Sequence, residues 1–250
     1  MVWRAMRFRH VLLFMAGGAL LVVSGCAAWR IGQSVELAKR SEPLQHTPKD
    51  PKLSLLIVGD STAVGTGATS GQSSLAGLLA QRYPRLLIEN RARDGAKFAD
   101  VLHQLDGEQR FDIVLVQAGG NDVIRWSGQS SLRKDIQQVS ELASQRGDLV
   151  VLMPAGNVGN SPFFFPPLSW LMTQRSRELH TYVQQSAART GAVYVDLFED
   201  RSDDPFVKNP DLNAVDGLHP SDAGYRVWFK ELLDQAELDA RLAPARAKTQ

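Results

Sequence analysis

Residues 53–61 read LSLLIVGDS, an almost continuous apolar run that ends in Gly59, Asp60 and Ser61. A run of this length with no polar face is typical of a strand buried on both sides, as in a parallel sheet. Ligands of open α/β sheets bind at the carboxyl ends of the strands. We therefore expect Ser61 to lie at the functional edge of such a sheet.

Further apolar runs follow along the chain, each separated from the next by a segment with the period of a helix. Apolar runs predict four more strands, at Leu86–Glu89, Phe111–Gln117, Leu149–Met153 and Ala192–Leu197. Segments of helical period separate them, at Ser74–Tyr83, Ala96–Leu105, 130–145, 169–189 and Ser221–Leu238. Strands that alternate with helices predict βαβ units. The sequence thus predicts an α/β fold with a five-stranded parallel sheet covered on both faces.

The composition fits one globular domain, since 44% of the 250 residues are hydrophobic and 22% are charged. Lys and Arg number 28 against 27 Asp and Glu. Three of the Arg and none of the acids fall in the first 25 residues, so the remainder is slightly acidic. A basic face for a polyanion is not indicated, and we expect no nucleic-acid partner.

The first 25 residues are typical of a signal peptide, with a basic start, the apolar run Val11–Val23 and then small residues. Residues 23–26 read VSGC and resemble a bacterial lipobox, which predicts lipid attachment at Cys26. A plain signal peptide or an uncleaved anchor remains an alternative, although the run is shorter than the roughly 20 residues of a spanning helix. We expect the protein in the bacterial cell envelope, as a membrane-anchored lipoprotein or in periplasmic or secreted form.

The remaining boundaries follow from composition. Residues 26–52 are polar, contain three Pro and have no convincing core pattern, so they are predicted to tether the membrane anchor to the domain. The globular domain is predicted to span 53–240, followed by a C-terminal tail over 241–250.

Three side chains could form a serine hydrolase site. A serine hydroxyl is a weak nucleophile that needs an adjacent base, and the base needs a third group to orient it. Ser61 follows the first strand, and His219 precedes the last helix. Asp216 lies three residues before His219, close enough for a tight turn to bring its carboxylate against the imidazole.

Four blocks of sequence together resemble the SGNH-hydrolase (GDSL esterase/lipase) family. They are GDS at 59–61, Gly95, GGND at 119–122 and DGLHP at 216–220, in this order. The resemblance covers Leu53–Leu233 and implies a flavodoxin-like three-layer αβα sandwich. The family uses neither a metal nor a cofactor.

The resemblance also implies the role of each residue. Ser61 would be the nucleophile, His219 the general base and Asp216 the group that orients it. The oxyanion hole would consist of the backbone amides of Ser61 and Gly95 and the side-chain amide of Asn121.

The family's members cleave esters and thioesters, so we expect a serine ester hydrolase that works through an acyl-enzyme. Acyl lipids or lysophospholipids are the favoured substrates, with the membrane reached through the N-terminal anchor. A carbohydrate O-acetyl esterase is one alternative. The other is an envelope lipoprotein whose domain binds a glycan or a partner without catalysis.

Two stretches could determine what the site accepts. Arg91 and Arg93 flank the predicted oxyanion glycine and could bias the site towards anionic substrates. Residues 160–171 read NSPFFFPPLSWL, whose aromatic residues follow neither a helical nor a strand period. We predict that they form a hydrophobic wall for an acyl chain or a patch facing the membrane; a loop packed back onto the domain is the alternative. The residues concerned are Phe163, Phe164, Phe165 and Trp170.

Overall fold

The computed structural model describes residue 25 and residues 28–246. Its centre is a parallel sheet of five strands in the order β2-β1-β3-β4-β5. The strands are β1 (Leu53–Gly59), β2 (Leu86–Asn90), β3 (Phe111–Gln117), β4 (Gly147–Leu152) and β5 (Val193–Tyr194). This order is that of flavodoxin-like sheets, whose binding crevice lies where the strand order reverses, between β1 and β3. The predicted fold class is confirmed.

Ten helices accompany the strands in this part of the chain. They are α1 (28–40), α2 (Ser61–Val64), α3 (Leu75–Arg82), α4 (Phe98–Gln104), α5 (Gly120–Ile124), α6 (Gln129–Arg146), α7 (Leu168–Thr190), α8 (Pro205–Lys208), α9 (Asp222–Gln235) and α10 (Leu238–Arg241). None of the described helices is long and apolar enough to cross a bilayer.

Alternate residues of β1 face opposite sides of the sheet, which gives the fold its three layers. Leu55 and Ile57 pack on one side in a core shared with α3 and α9. Leu56 and Val58 pack on the other side, in a core shared with α4, α6 and α7. Because both faces of the strand are buried, its sequence is apolar throughout.

The fifth strand is shorter than predicted. The sequence indicates a strand over Ala192–Leu197, but β5 pairs with β4 only at two positions. Beyond them the chain leaves the sheet, where the Asp196 backbone amide donates to Gln235 Oε1 at 2.7 Å. Asp196 and Leu197 then line a cavity at the edge of the sheet. The apolar run is therefore longer than the strand, because its last residues pack against helices and not in the sheet.

The predicted tether has more structure than its composition indicates. Residues 28–40 form α1, and Gln45 then hydrogen-bonds to the backbone of Asn90 through both ends of its side-chain amide, at 2.6 and 3.0 Å. His46 forms an antiparallel bridge with Ile88. The segment thus covers the outer edge of β2, which would otherwise expose unpaired backbone groups.

The C-terminal boundary also lies further along than predicted. Leu242 and Ala245 are fully buried in the core, and the Arg85 amide donates to the Ala245 carbonyl at 2.9 Å. Residues 241–246 therefore belong to the domain. Of the predicted signal peptide, 1–25, residues 1–24 lie outside the described part of the chain, as do the predicted lipid site Cys26 and the last four residues.

Candidate active site

The turn after β1 holds Ser61 at the edge of the sheet. Gly59 has a φ of 150°, and a Cβ there would come within 1.8 Å of the Gln117 carbonyl oxygen, so no other residue fits without a shift of the backbone. Asp60 caps α2 by accepting from the Thr62 amide at 2.9 Å and from its hydroxyl at 2.7 Å. Ser61 is consequently the first residue of α2, a fixed position for its hydroxyl and its amide.

A buried glutamine, not found by sequence reasoning, fixes the same turn. The Gln104 side chain on α4 accepts from the Gly59 amide at 2.6 Å and donates to the Gly59 carbonyl at 2.9 Å. Gly59 is in register with Gln117 of β3, but the pairing of β1 with β2 ends at Ile57, so Gln104 supplies these two bonds where β2 no longer runs alongside. No sequence signal could have revealed this beyond a polar residue on the buried face of a predicted helix.

The loop before α9 holds the histidine and the acid. Asp216 Oδ1 accepts from the backbone amides of Leu218 at 2.9 Å and His219 at 3.1 Å, so the carboxylate shapes the turn that carries the imidazole. Gly67 leaves room for this loop, because a Cβ there would lie 2.8 Å from the His219 Cβ and 2.4 Å from the Pro220 carbonyl oxygen. Gly67 therefore allows the close packing of this loop against the segment that follows α2.

The structure brings the three predicted triad residues together in one hydrogen-bonded chain. His219 Nε2 lies 2.9 Å from Ser61 Oγ, and His219 Nδ1 lies 2.6 Å from Asp216 Oδ2. With the proton on Nδ1 donated to Asp216, Nε2 can accept the serine proton. Ser61 and His219 are buried but border the cavity, whereas Asp216 has no solvent exposure.

Asp216 remains an anion in spite of its burial. Burial alone would raise its pKa, but the hydrogen bond and charge of His219, the Leu218 amide and the Ser34 hydroxyl lower the pKa to about 2. A carboxylate at this position stabilises an imidazolium when His219 takes up a proton.

The predicted oxyanion residues border the same cavity as Ser61. Gly95 has a φ of 76°, and Asn121 stands in the first turn of α5. The Asn121 side-chain amide donates to the Ala96 carbonyl at 3.2 Å, which fixes its orientation beside the Gly95 loop. Both residues line the cavity with Ser61. The three residues predicted to form the oxyanion hole thus border one space.

Two buried acids support this arrangement without belonging to the triad. Asp122 accepts from the Phe98 amide at 3.0 Å and the Ser127 hydroxyl at 2.7 Å, which ties α4 to α5. Asp60 caps α2. Burial raises the pKa of both carboxyl groups above its usual value. Each fixes a loop that carries a predicted site residue.

A cavity of about 820 Å³ opens beside Ser61 and His219. Much of its wall is apolar and comes from α1, the loop after β5 and α9. The apolar side chains include Ile31, Val35, Ala38, Leu197, Phe206 and Trp228. A cavity of this size accommodates a drug-sized ligand.

The aromatic residues after β4 do not belong to that wall. None of Phe163, Phe164, Phe165 and Trp170 is among the residues that line the cavity. Phe164 packs on the core cluster beneath α7 and lies edge-on to Phe163, with ring centroids 4.9 Å apart. Phe165 and Trp170 are exposed. The prediction of an acyl wall at these residues is therefore corrected, because the loop packs Phe164 onto the core with Phe163 against it and leaves the other two rings exposed.

The cationic group beside Gly95 also differs from the one expected. Arg91 pairs with Glu89 at 2.6 Å and donates to two carbonyls at the end of α4, while Arg93 is exposed and lies outside the cavity lining. Arg125 lines the cavity instead, with a guanidinium nitrogen 3.0 Å from the position of a Gly95 Cβ. Its side chain reaches the site from α5, which local sequence around Gly95 could not show.

Solved structures of other proteins share this fold. TesA aligns with a TM-score of 0.60 at 20% identity, over 74% of this chain and 98% of that one. A lipase/acylhydrolase from Enterococcus faecalis aligns with a TM-score of 0.58 at 21% identity, over 78% of this chain and 100% of that one. Axe2, an acetylxylan esterase from Geobacillus stearothermophilus, aligns with a TM-score of 0.54 at 21% identity, over 76% of this chain and 96% of that one. At such identities the likeness establishes the fold alone.

Comparison of the amino-acid sequence, unlike comparison of the fold, identifies a family. No curated protein matches the chain. Residues 57–227, however, match the sequence model of the GDSL-like lipase/acylhydrolase family. The matched segment is most of the chain, and it runs from the turn that holds Ser61 to the helix that follows His219. The protein therefore belongs to the GDSL-like lipase/acylhydrolase family of ester-cleaving hydrolases.

Proposed function

We propose that this chain hydrolyses carboxylic esters or thioesters through an acyl-enzyme on Ser61. The observation that carries the proposal is the chain Ser61–His219–Asp216, with contacts of 2.9 and 2.6 Å, at the wall of a largely apolar cavity. A nucleophile, a base and an orienting acid in hydrogen-bond contact are the elements of nucleophilic acyl transfer.

In the proposed reaction, Ser61 Oγ attacks the carbonyl carbon while His219 Nε2 takes its proton. Asp216 keeps the other imidazole nitrogen protonated and stabilises the imidazolium. The amides of Ser61 and Gly95 and the Asn121 side chain donate to the oxyanion that develops. His219 then protonates the leaving alcohol or thiol, and a water molecule activated by the same imidazole hydrolyses the acyl-enzyme.

The apolar wall favours an acyl chain as the group held in the cavity, as in an acyl lipid or lysophospholipid. Burial of each CH₂ contributes about 0.8 kcal/mol. A carbohydrate O-acetyl esterase is the second candidate, because carboxylates also line the cavity and could accept hydrogen bonds from sugar hydroxyls. They are Asp94, Asp196, Glu199, Asp204 and Glu231.

We further propose that Cys26 carries the membrane anchor and that the cavity side of the domain faces the bilayer. Large exposed apolar side chains on two neighbouring segments support this orientation. They are Trp29, Ile31 and Val35 on α1, and Phe165, Leu168, Trp170 and Leu171 around the start of α7. The Arg30 guanidinium lies 5.2 Å from the Phe165 ring centroid and connects the two segments.

Labelling with a fluorophosphonate probe and hydrolysis of p-nitrophenyl esters test the catalytic proposal. We expect the wild type to be labelled and active, and Ser61→Ala to lose both, with a decrease in kcat of about 10⁶ as for other serine triads. Ser131→Ala, which removes an exposed hydroxyl on α6, is the matched control. A folded wild type that neither reacts with the probe nor cleaves any ester would instead support the non-catalytic binding lipoprotein.

A further inference from the structure

Helix α1 contacts the buried acid of the site directly. Ser34 Oγ donates to Asp216 Oδ2 at 2.7 Å, across 182 positions of sequence. Ile31, Val35 and Ala38 lie on the same side of α1 and line the cavity next to Ser34. Positions 31, 34, 35 and 38 have the i, i+3, i+4, i+7 spacing of one helix face. One face of α1 thus closes the cavity and reaches the carboxylate behind His219.

From this contact we infer that Ser34 is a positioning residue of the active site, acting on His219 through Asp216. The inference rests on the proposed function of the triad. It adds to the site a residue from the segment between the predicted anchor and the domain, which no motif of the family match includes, since that match begins at residue 57.

The hydrogen bonds of Asp216 explain why one hydroxyl matters. Oδ1 accepts from two backbone amides of its own loop, while Oδ2 accepts from His219 Nδ1 and from Ser34. The carboxylate has no solvent exposure, so water does not replace a lost donor without a rearrangement. Ser34 is therefore the one described side chain besides His219 that bonds to this carboxylate.

The hydroxyl has two effects on Asp216, both of which reach His219. As a donor it stabilises the anionic form of the acid, and charge-assisted bonds of this kind are stronger than neutral ones. It also bonds to Oδ2, the same oxygen that accepts from Nδ1, and so restrains rotation of the carboxylate plane away from the imidazole. The imidazole orientation needed to accept the Ser61 proton depends on that plane.

A role in lining the cavity alone would give a different result. Ser34 also borders the cavity, so its substitution could change only the binding of the acyl group. A loss of binding raises KM, whereas a loss of orientation lowers kcat and the reactivity of Ser61 towards a small phosphonate. An acetyl ester separates the two effects because it leaves most of the cavity unfilled.

The test compares full-length wild type, Ser34→Ala, Ser34→Thr, Ser41→Ala and Ser61→Ala with p-nitrophenyl acetate and a fluorophosphonate. In Ser34→Ala we expect kcat and the labelling rate to decrease about tenfold, as for loss of one hydrogen bond to a charged group, with KM within about twofold of wild type. Ser34→Thr keeps the hydroxyl and should restore most of the activity. Ser41→Ala removes a hydroxyl that bonds only to the Leu37 carbonyl among described groups, and it should match the wild type.

Wild-type kcat in Ser34→Ala, a change in KM alone, or a decrease that Ser34→Thr does not restore would each overturn the role of Ser34. Thermal melting of the two Ser34 variants shows whether a loss of activity is caused by unfolding. Unfolding would lower the melting temperature of Ser34→Ala and would lower the activity of both variants. Failure of the proposed function would appear separately, as activity retained in Ser61→Ala.

Discussion

Asp216 is a carboxylate without solvent exposure, and four donors from the protein take the place of water around it. Its pKa of about 2 lies below the usual value of 3.8. A carboxyl group with a lowered pKa stabilises the fold fully above its unfolded pKa, and this stabilisation is lost as the pH falls towards 2. At neutral pH the site is therefore built around a permanent negative charge behind the imidazole.

Asp216→Asn should keep the fold and lose most of the activity. The amide oxygen can still accept from the Leu218 and His219 amides, but the amide nitrogen then faces His219 Nδ1 as a donor. The imidazole would place its proton on Nε2, where it cannot accept from Ser61. In a serine protease the same change lowers kcat about 10⁴-fold, and steady-state kinetics at pH 7 would measure the effect here. Activity within tenfold of wild type would mean that Asp216 only shapes the loop.

Residues with a single distant partner were the ones that sequence reasoning missed. Ser61, Asp216 and His219 could be predicted because they belong to short blocks of sequence in a fixed order. Gln104 acts through Gly59, which is 45 positions away in sequence, and Ser34 acts through Asp216, which is 182 positions away. Nothing in their neighbouring sequence indicates such a contact, since an isolated Gln or Ser on a helix is usually a surface residue.

The turn between β1 and α2 is the element on which the site most depends. Gly59 ends the strand, Asp60 caps the helix, and Gln104 holds the Gly59 backbone from below. Tyr225 of α9 ties the same region to the helix after His219, since its hydroxyl donates to the Thr66 carbonyl at 2.8 Å. Ser61 and His219 are thus fixed relative to each other by side chains that bond to the main chain.

Gly59→Ala should therefore destabilise the protein by several kcal/mol, because the added Cβ would overlap the Gln117 carbonyl oxygen, a backbone atom in the neighbouring central strand. Urea denaturation followed by circular dichroism would measure the loss. Gly128→Ala is a suitable control, since a Cβ at that position meets nothing within 4 Å and its φ is −61°. Equal stability of the two variants would contradict the tight approach of β1 and β3 at Gly59.

The predicted elements differ in accuracy for a physical reason. The bounds predicted for the third strand agree with β3, because its run of buried apolar residues, 113–116, ends at the polar residue Gln117. The predicted fifth strand is longer than β5 because the apolar Leu197 packs in a core after the chain has left the sheet. Helix α1 was missed because its inner face includes Ser34 and Ala38 and carries few large apolar side chains.

The cavity beside Ser61 is formed by segments distant in sequence. Under the proposed function, residues of these segments should therefore control which acyl-chain lengths are preferred. We expect kcat/KM to rise from acetyl to hexanoyl esters by roughly fourfold per carbon until the cavity is filled. Val35→Asn should flatten the rise, because Val35 lines the cavity from α1. Phe164→Ala should lower stability and leave the slope unchanged, since Phe164 packs on the core. A preference for acetyl esters in the wild type would favour the carbohydrate O-acetyl esterase.

The position of α1 also relates the proposed anchor to the site. Lipid on Cys26 would lie directly before α1, on which Trp29, Ile31 and Val35 are exposed and the last two border the cavity, so the mouth of the cavity would be held close to the bilayer surface. A single acyl chain gives only marginal binding, and stable attachment needs a second chain or further contacts. Exposed apolar side chains around the start of α7 could supply those contacts.

We therefore expect the wild type to enter the detergent phase in a Triton X-114 partition, and Cys26→Ser to remain unprocessed. Trp170→Ser, which removes an exposed indole outside the cavity, should leave lipid attachment intact and weaken the binding of a delipidated, truncated form to phosphatidylglycerol vesicles. Trp126→Ser is the control, because Trp126 is an exposed indole that is not among the residues of the proposed membrane face, and its ring lies against Arg175. A mature protein that begins after residue 28 and stays in the aqueous phase would contradict the anchor. Equal vesicle binding of the two Trp variants would contradict the orientation, because the attraction would then not depend on the apolar residues at the start of α7.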